Sequence, residues 1–191
     1  MDELNSGHVS SNKTILGFFV YIMTDLIMFA ALFATFAVLR NNTFGGPGGA
    51  ELFSLNNALL ETFILLASSF TCGLAMLGVI SGKVKQVYLW LAATFGLGLW
   101  FLILELKEFG ELISHGHTWQ SNAFLSAFFT LVGTHGLHII VGLLWIAVAV
   151  GMIFKKGLTS KIVSQLTRLS LFWHFLDVVW IFIFTIVYLL K

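Results

Sequence analysis

The run AFLSAFFTLVGTHGLHIIVGLLWIAVAVGMIF, residues 123–154, contains no Asp, Glu, Lys or Arg. About 20 apolar residues in a helix cross a hydrocarbon core of roughly 30 Å, so this run is long enough to span a bilayer. Its apolar side chains are continuous rather than alternating, which selects an α-helix over a barrel strand. The same reading along the chain gives four further spans, at residues 14–39, 57–80, 86–106 and 169–190. The sequence therefore predicts an all-α, polytopic membrane protein built as a bundle of five transmembrane helices. Composition agrees: 58% of residues are apolar, 10% are charged and the mean hydropathy is +0.95, outside the range of soluble domains.

The basic residues set the expected orientation. Lys13, Lys83, Lys85, Lys155, Lys156, Lys161 and Arg168 fall on one side of the five spans, and Arg40, Lys107 and Lys191 on the other. Loops rich in Lys and Arg stay in the cytoplasm, so the N-terminus is expected to be cytoplasmic and the C-terminus external. Residues 1–13 then form a cytoplasmic N-terminal tail, and 14–191 a single five-helix membrane domain. The first span is longer than a signal peptide's apolar region and no small-residue cleavage pattern follows it, so it is expected to remain in the mature chain. The stretch RNNTFGGPGGAELFSLNN, residues 40–57, is a Gly-rich external loop holding the sole proline, Pro47. No span has a proline break, which weighs against a transporter built from interrupted helices. A net charge of +1 without a long basic run gives no footprint for nucleic acid. Cys72, alone, can form neither an internal disulfide nor a thiolate metal site and reads as packing.

Few residues can carry chemistry. Asp25 lies about 18 Å along a helix beyond Lys13, at about 1.5 Å per residue, deep in the membrane. A carboxylate there must be protonated, paired or open to water, and is a functional candidate by default; the competing reading is a hydrogen bond to a neighbouring helix. Glu61 and Glu105 stand at the ends of the second and third spans and are expected to reach an interface. Glu108 and Glu111, with Lys107, read as a solvated boundary. His135 and His138 in VGTHGLHIIVG share a helical face, where either is a possible ligand, although a packed, hydrogen-bonded histidine is commoner. His8, His115 and His117 form only a weak metal signal. The rows Ala67, Thr71, Ala75 and Thr134, His138, Gly142 read as faces where helices approach closely.

In SLFWHFLDVVWIF, residues 170–182, His174 and Asp177 lie about 60° apart at about 100° per residue, with Thr185 and Tyr188 on the same arc. Trp173 and Trp180 project elsewhere, toward aromatic packing or lipid. The pair belongs to the half of the last span nearer Arg168. Its expected role is a structural polar cluster with groups on an adjacent helix, not a metal site or an obligatory proton relay.

The segments FWHFLDVVWIFIFTIVYL, NAFLSAFFTLVGTHGLHIIVG and ALLETFILLASSFTCGLAM resemble subunit III of the haem-copper terminal oxidases. The resemblance covers essentially the whole chain from Ile15 to Leu190. The FLSAFF and LVGTHGLH wording is most like the cytochrome o ubiquinol oxidase branch. Asp25 falls where the family has an intramembrane acidic residue, and Glu108 where it has a glutamate. Larger members have seven helices; this chain resembles the short bacterial forms that lack the first two. The resemblance implies a non-catalytic subunit of the bacterial cytoplasmic (inner) membrane that binds no cofactor of its own. Haems and copper are expected in the partner, subunit I, which performs dioxygen reduction and proton pumping. Subunit III is expected to contact subunit I and other oxidase subunits, to hold phospholipid, and to support assembly, turnover stability and proton uptake. Two alternatives remain at this point. One is a small proton-coupled transporter using Asp25. The other is a haem b anchor using His138 and His174, whose depths along their helices match poorly.

Overall fold

The apolar runs fold as helices that outlast them. The computed structural model describes residues 2–43 and 55–190, with side chains from Ile15 onward. Helix α1 spans Asp2–Leu39, α2 Leu55–Ile80, α3 Val84–Ser114, α4 Ala123–Lys156 and α5 Ser160–Ile183. The last passes directly into a π-helical turn, Phe184–Leu189. No strand is present among the described residues. All five helices are long and apolar enough to cross a membrane. Residues 44–54, the centre of the Gly-rich loop around Pro47, lie outside the described residues, as do Lys191 and the side chains of the N-terminal segment.

Two helices extend past their apolar spans because charged residues continue them. On α3, Lys107 and Glu111 form an exposed i, i+4 pair at 3.7 Å, and the helix runs on until Gly116 adopts a φ of +83°. Beyond Lys155 and Lys156, which favour the negative end of the α4 dipole, Gly157 turns the chain at φ +66°. Helix α5 then starts at once, so Lys161 and Arg168 ride inside it, and the Arg168 guanidinium donates to Ser164 Oγ at 2.9 Å. Counted from Ser160 to Leu189, His174 and Asp177 lie on either side of the middle of this continuous helix. At the start of α4, Asn122 Oδ1 accepts from the Leu125 N–H at 2.7 Å and caps the helix.

Helices α4 and α5 form the middle of the bundle. Helix α1 lies against both, α3 packs on α4 and α2, and α2 packs on α3 and α5. The α2–α3 seam is close enough that a Cβ at Gly78 would lie 3.2 Å from Val87 Cγ2. Thr71 and Ala75 are buried in that region, with Thr71 Oγ1 2.9 Å from Thr94 Oγ1, but Ala67 faces outward. The buried row on α2 is Ser68, Thr71, Cys72 and Ala75. Trp173 and Trp180 are core residues, not lipid contacts. Their indole N–H groups donate to Ser68 Oγ at 2.8 Å and Thr62 Oγ1 at 3.0 Å on α2, which satisfies the single polar atom each ring brings inside. The outside of the bundle is apolar, with Phe63, Phe70, Ile80, Leu137, Phe154 and, on α1, Leu16, Phe19, Val20 and Ile27 exposed. Such a surface is stable against lipid or another apolar chain and not against water.

Candidate functional site

Polar groups inside the bundle gather into separate clusters, each joining two or more helices. In the first, Asp25 of α1 is buried and faces His138 of α4, with Oδ2 3.8 Å from Nε2. His138 Nδ1 lies 2.7 Å from the Thr134 carbonyl oxygen. A carbonyl only accepts, so Nδ1 carries a proton and Nε2 is the nitrogen presented to the carboxylate. The Phe29 and Phe172 rings flank the imidazole at centroid distances of 5.3 and 6.4 Å. Both nitrogens of His138 therefore already face protein groups, and axial ligation through Nε2 would have to displace Asp25.

The second cluster joins α5 to α2. His174 Nδ1 lies 2.5 Å from Ser69 Oγ and 3.8 Å from Asp177 Oδ2. Asp177 is buried, whereas the His174 side chain is 44% exposed at the bundle surface. Thr185, assigned to the same arc, is exposed and donates to the Ile181 carbonyl. Tyr188 leaves the arc altogether. The π-helical turn Phe184–Leu189 widens the final turn, so an angle counted at the α-helical step no longer applies.

Tyr188 belongs instead to a third cluster, where α2 begins and α3 ends. It is buried, and its hydroxyl donates to Glu108 Oε2 at 3.1 Å. Glu61 and Glu105 lie within electrostatic reach of Glu108 and of each other. Their ends-of-span positions suggest interface exposure, yet each is only 2% exposed. Glu105 presses on Gly136 of α4, where a Cβ would lie 2.8 Å from its Oε1. Glu108, expected at a solvated boundary, is half-buried and tied to α5. Only Lys107 and Glu111 behave as that boundary.

Sequence comparison gives the family of the chain. Residues 6–191 match the family described as cytochrome c oxidase subunit III. The chain belongs to that family. It is 51% identical over 183 residues to cytochrome bo(3) ubiquinol oxidase subunit 3 of Pseudomonas aeruginosa, covering 96% of this chain and 88% of the relative. Quinol oxidase subunit 3 of Bacillus subtilis is 46% identical over 176 residues, covering 92% and 86%. Cytochrome c oxidase subunit 3 of Bacillus sp. (strain PS3) is 43% identical over 188 residues, covering 98% and 90%. The protein is thus an oxidase subunit III, an accessory subunit of a haem-copper oxidase and a multi-pass protein of the bacterial inner membrane.

Within this subunit III, His135 stands apart from His138 despite sharing its helical face. It is fully buried and ringed by Phe29, Phe101 and Trp180, with centroids 6.4, 5.9 and 5.3 Å away. Neither of its nitrogens has a hydrogen-bond partner among the described residues. Among those residues, no three His, Cys, Asp or Glu side chains form a group able to hold a metal ion. Sequence reasoning missed Ser69, Ser68 and Thr62 as partners of His174, Trp173 and Trp180. Hydroxyls spaced along the buried side of α2 were the available signal, since each supplies an acceptor that an indole or imidazole on a facing helix needs.

Proposed function

We propose that this subunit III serves a quinol-oxidising respiratory oxidase, seated against subunit I and binding no redox cofactor itself. Subunit I supplies the haems and copper, reduces dioxygen and pumps protons; this chain supports assembly, stability during turnover and proton uptake. The names of the relatives at 51% and 46% identity favour quinol over cytochrome c as the electron donor. The N-terminus is cytoplasmic and the C-terminus external, following the division of basic residues. Residues 14–191 act as one membrane domain behind a cytoplasmic N-terminal segment.

The observation that carries the accessory role is how the polar groups are used. Asp25 faces His138, and His174 meets Ser69 beside Asp177, each group linking helices of this chain. The exterior offers apolar side chains such as Phe70, Phe154 and Ile27 to phospholipid and to subunit I. In this reading Asp25, His138, His174 and Asp177 hold the bundle in the shape that subunit I and lipid recognise. The transporter and haem-anchor alternatives gain no observation of their own.

A well-assembled oxidase lacking only this chain tests the role, with quinol oxidation followed from the first turnover through many cycles. Near-normal initial rates with faster decay are expected. Complete absence of dioxygen reduction from the first turnover would show that the chain takes part in the chemistry.

A further inference from the structure

Trp173 marks the mid-height of the bundle. Its ring lies against Gly98 and Gly142, near the middles of α3 and α4, and its indole donates to Ser68, midway along α2. His174, the next residue, therefore stands near the centre of the membrane. Ionisable side chains at that depth are costly and almost always turn into the bundle or toward a partner group. Asp25, Glu61, Glu105, His135 and Asp177 obey this rule and are buried. His174 does not, since its side chain is 44% exposed on the outer surface where α5 meets α2. Both of its polar contacts, with Ser69 Oγ and with Asp177 Oδ2, are made through Nδ1. The Ser69 hydroxyl has no other polar contact among the described residues, so its hydrogen goes to Nδ1 and the ring proton sits on Nε2. That N–H is left without an acceptor among the described residues, at a depth where lipid tails supply none.

We propose that this face of α5 and α2 is where a transmembrane helix of subunit I docks, with a side-chain oxygen accepting from His174 Nε2. The inference rests on the accessory role proposed above and adds the place of contact. The surface is shaped for a helix. Leu171 and Val178, three before and four after His174, are exposed on α5, and Leu66, three before Ser69, is exposed on α2. Gly73, four after Ser69, has nothing within 4 Å of its Cβ position, so a neighbouring backbone can approach there, as at the small-residue contacts common between membrane helices. The chemistry then selects among occupants. An acyl chain has no acceptor to offer, and a second copy of this chain meeting the first about a two-fold axis would set one Nε2–H against another. A docking helix commits its own carbonyls to its backbone bonds, so the acceptor is a hydroxyl, amide or carboxylate oxygen on one of its side chains.

The test uses the assembled, purified oxidase with Val178 replaced by photoreactive p-benzoylphenylalanine. Irradiation should join the chain to a membrane-spanning peptide of the haem-bearing subunit, identified by mass spectrometry. Adducts with lipid or quinone only, or with a second copy of this chain, would overturn the proposal. Two variants separate docking from a purely internal role. His174→Gln keeps an N–H near the Nε2 position and loses the Ser69 contact, whereas His174→Asn keeps its reach to Ser69 and loses the outward donor. Losing one hydrogen bond shifts an equilibrium by up to about tenfold, so in a detergent dilution series His174→Asn should leave the complex about tenfold more readily than wild type, and His174→Gln less than about threefold. Equal release of the two variants, or tighter retention of His174→Asn, would confine His174 to the internal cluster and overturn the proposal. A chain that co-purifies with no haem-bearing subunit would remove the accessory role and this interface with it; one that co-purifies but yields only lipid adducts at position 178 would remove the interface and leave that role standing.

Discussion

Replacing Gly142 by alanine should destabilise the bundle, and Trp173 is the reason. The indole is fully buried in a slot between Gly98 of α3 and Gly142 of α4, with its Nε1–H fixed on Ser68 Oγ at 2.8 Å. A Cβ at Gly142 would lie 2.8 Å from Cζ3 and 3.0 Å from Cε3; at Gly98 it would lie 2.8 Å from Cη2 and Cζ2. Favourable carbon contacts are at about 3.5–4.0 Å, so each methyl demands a displacement of roughly 0.7 Å or more. The obstacle is a rigid ring anchored at one edge, and overpacking of this kind costs about 1–3 kcal/mol. Trp173→Phe removes the clashing ring and should abolish most of that cost, giving a coupling of about 1 kcal/mol or more in a double-mutant cycle. The single Trp173→Phe change is itself costly, because it opens a cavity and orphans a buried hydroxyl. Gly96 is the control: nothing lies within 4 Å of its Cβ position, so Gly96→Ala should be neutral or stabilising by up to about 1 kcal/mol. Denaturant titration in mild detergent, followed by circular dichroism, reads all of these. If Gly142→Ala cost the same with Phe at 173 as with Trp, the indole would not be wedged between the helices and the packing argument would fail.

Three further outcomes follow from the other clusters and from charge. Reporter fusions after Lys85 and Lys161 should behave as cytoplasmic and those after Lys191 as external; an external signal at Lys161 would reverse the bundle. His174→Ala and Asp177→Asn should each weaken retention of the chain in the complex, while the double variant costs less than their sum, measured as the fraction retained through purification. Strict additivity would mean that the two side chains do not share a cluster. His138→Leu leaves Asp25 facing an apolar group, so it should lower thermal stability more than the double change His138→Leu with Asp25→Leu, which removes both polar partners. A double variant as unstable as the worst single one, or worse, would remove the pairing from the account.

The five helices were legible because each apolar run is long enough for a bilayer and holds at most one charged residue, Asp25, Glu61, Glu105 or Asp177. The helix ends were less legible. Lys107, Glu108 and Glu111 look like a boundary in sequence, yet as helix-compatible residues they extend α3 to Ser114. Glu61 and Glu105 are nevertheless buried, Glu105 against Gly136 of α4, and no local pattern in the sequence announces such a neighbour. His174 and Asp177 were readable as a pair because three residues separate them on one helix. Tyr188 was misplaced because a π-helical turn intervenes, and no residue in FTIVYL signals it. The roles of Trp173 and Trp180 were invisible for a similar reason: an indole's direction depends on which facing helix offers an acceptor.

The central claim, that the chain works as an accessory subunit of a quinol-oxidising haem-copper oxidase, is tested most directly by what accompanies it out of the membrane. The tagged chain would be purified in mild detergent, and its partners, haem content and quinol oxidation measured together. The account predicts a haem- and copper-bearing subunit I in stoichiometric amount, with dioxygen consumption supported by quinol and the haem assigned to that partner. A chain that emerges alone and moves a solute in vesicles, or carries haem on its own histidines, would contradict it.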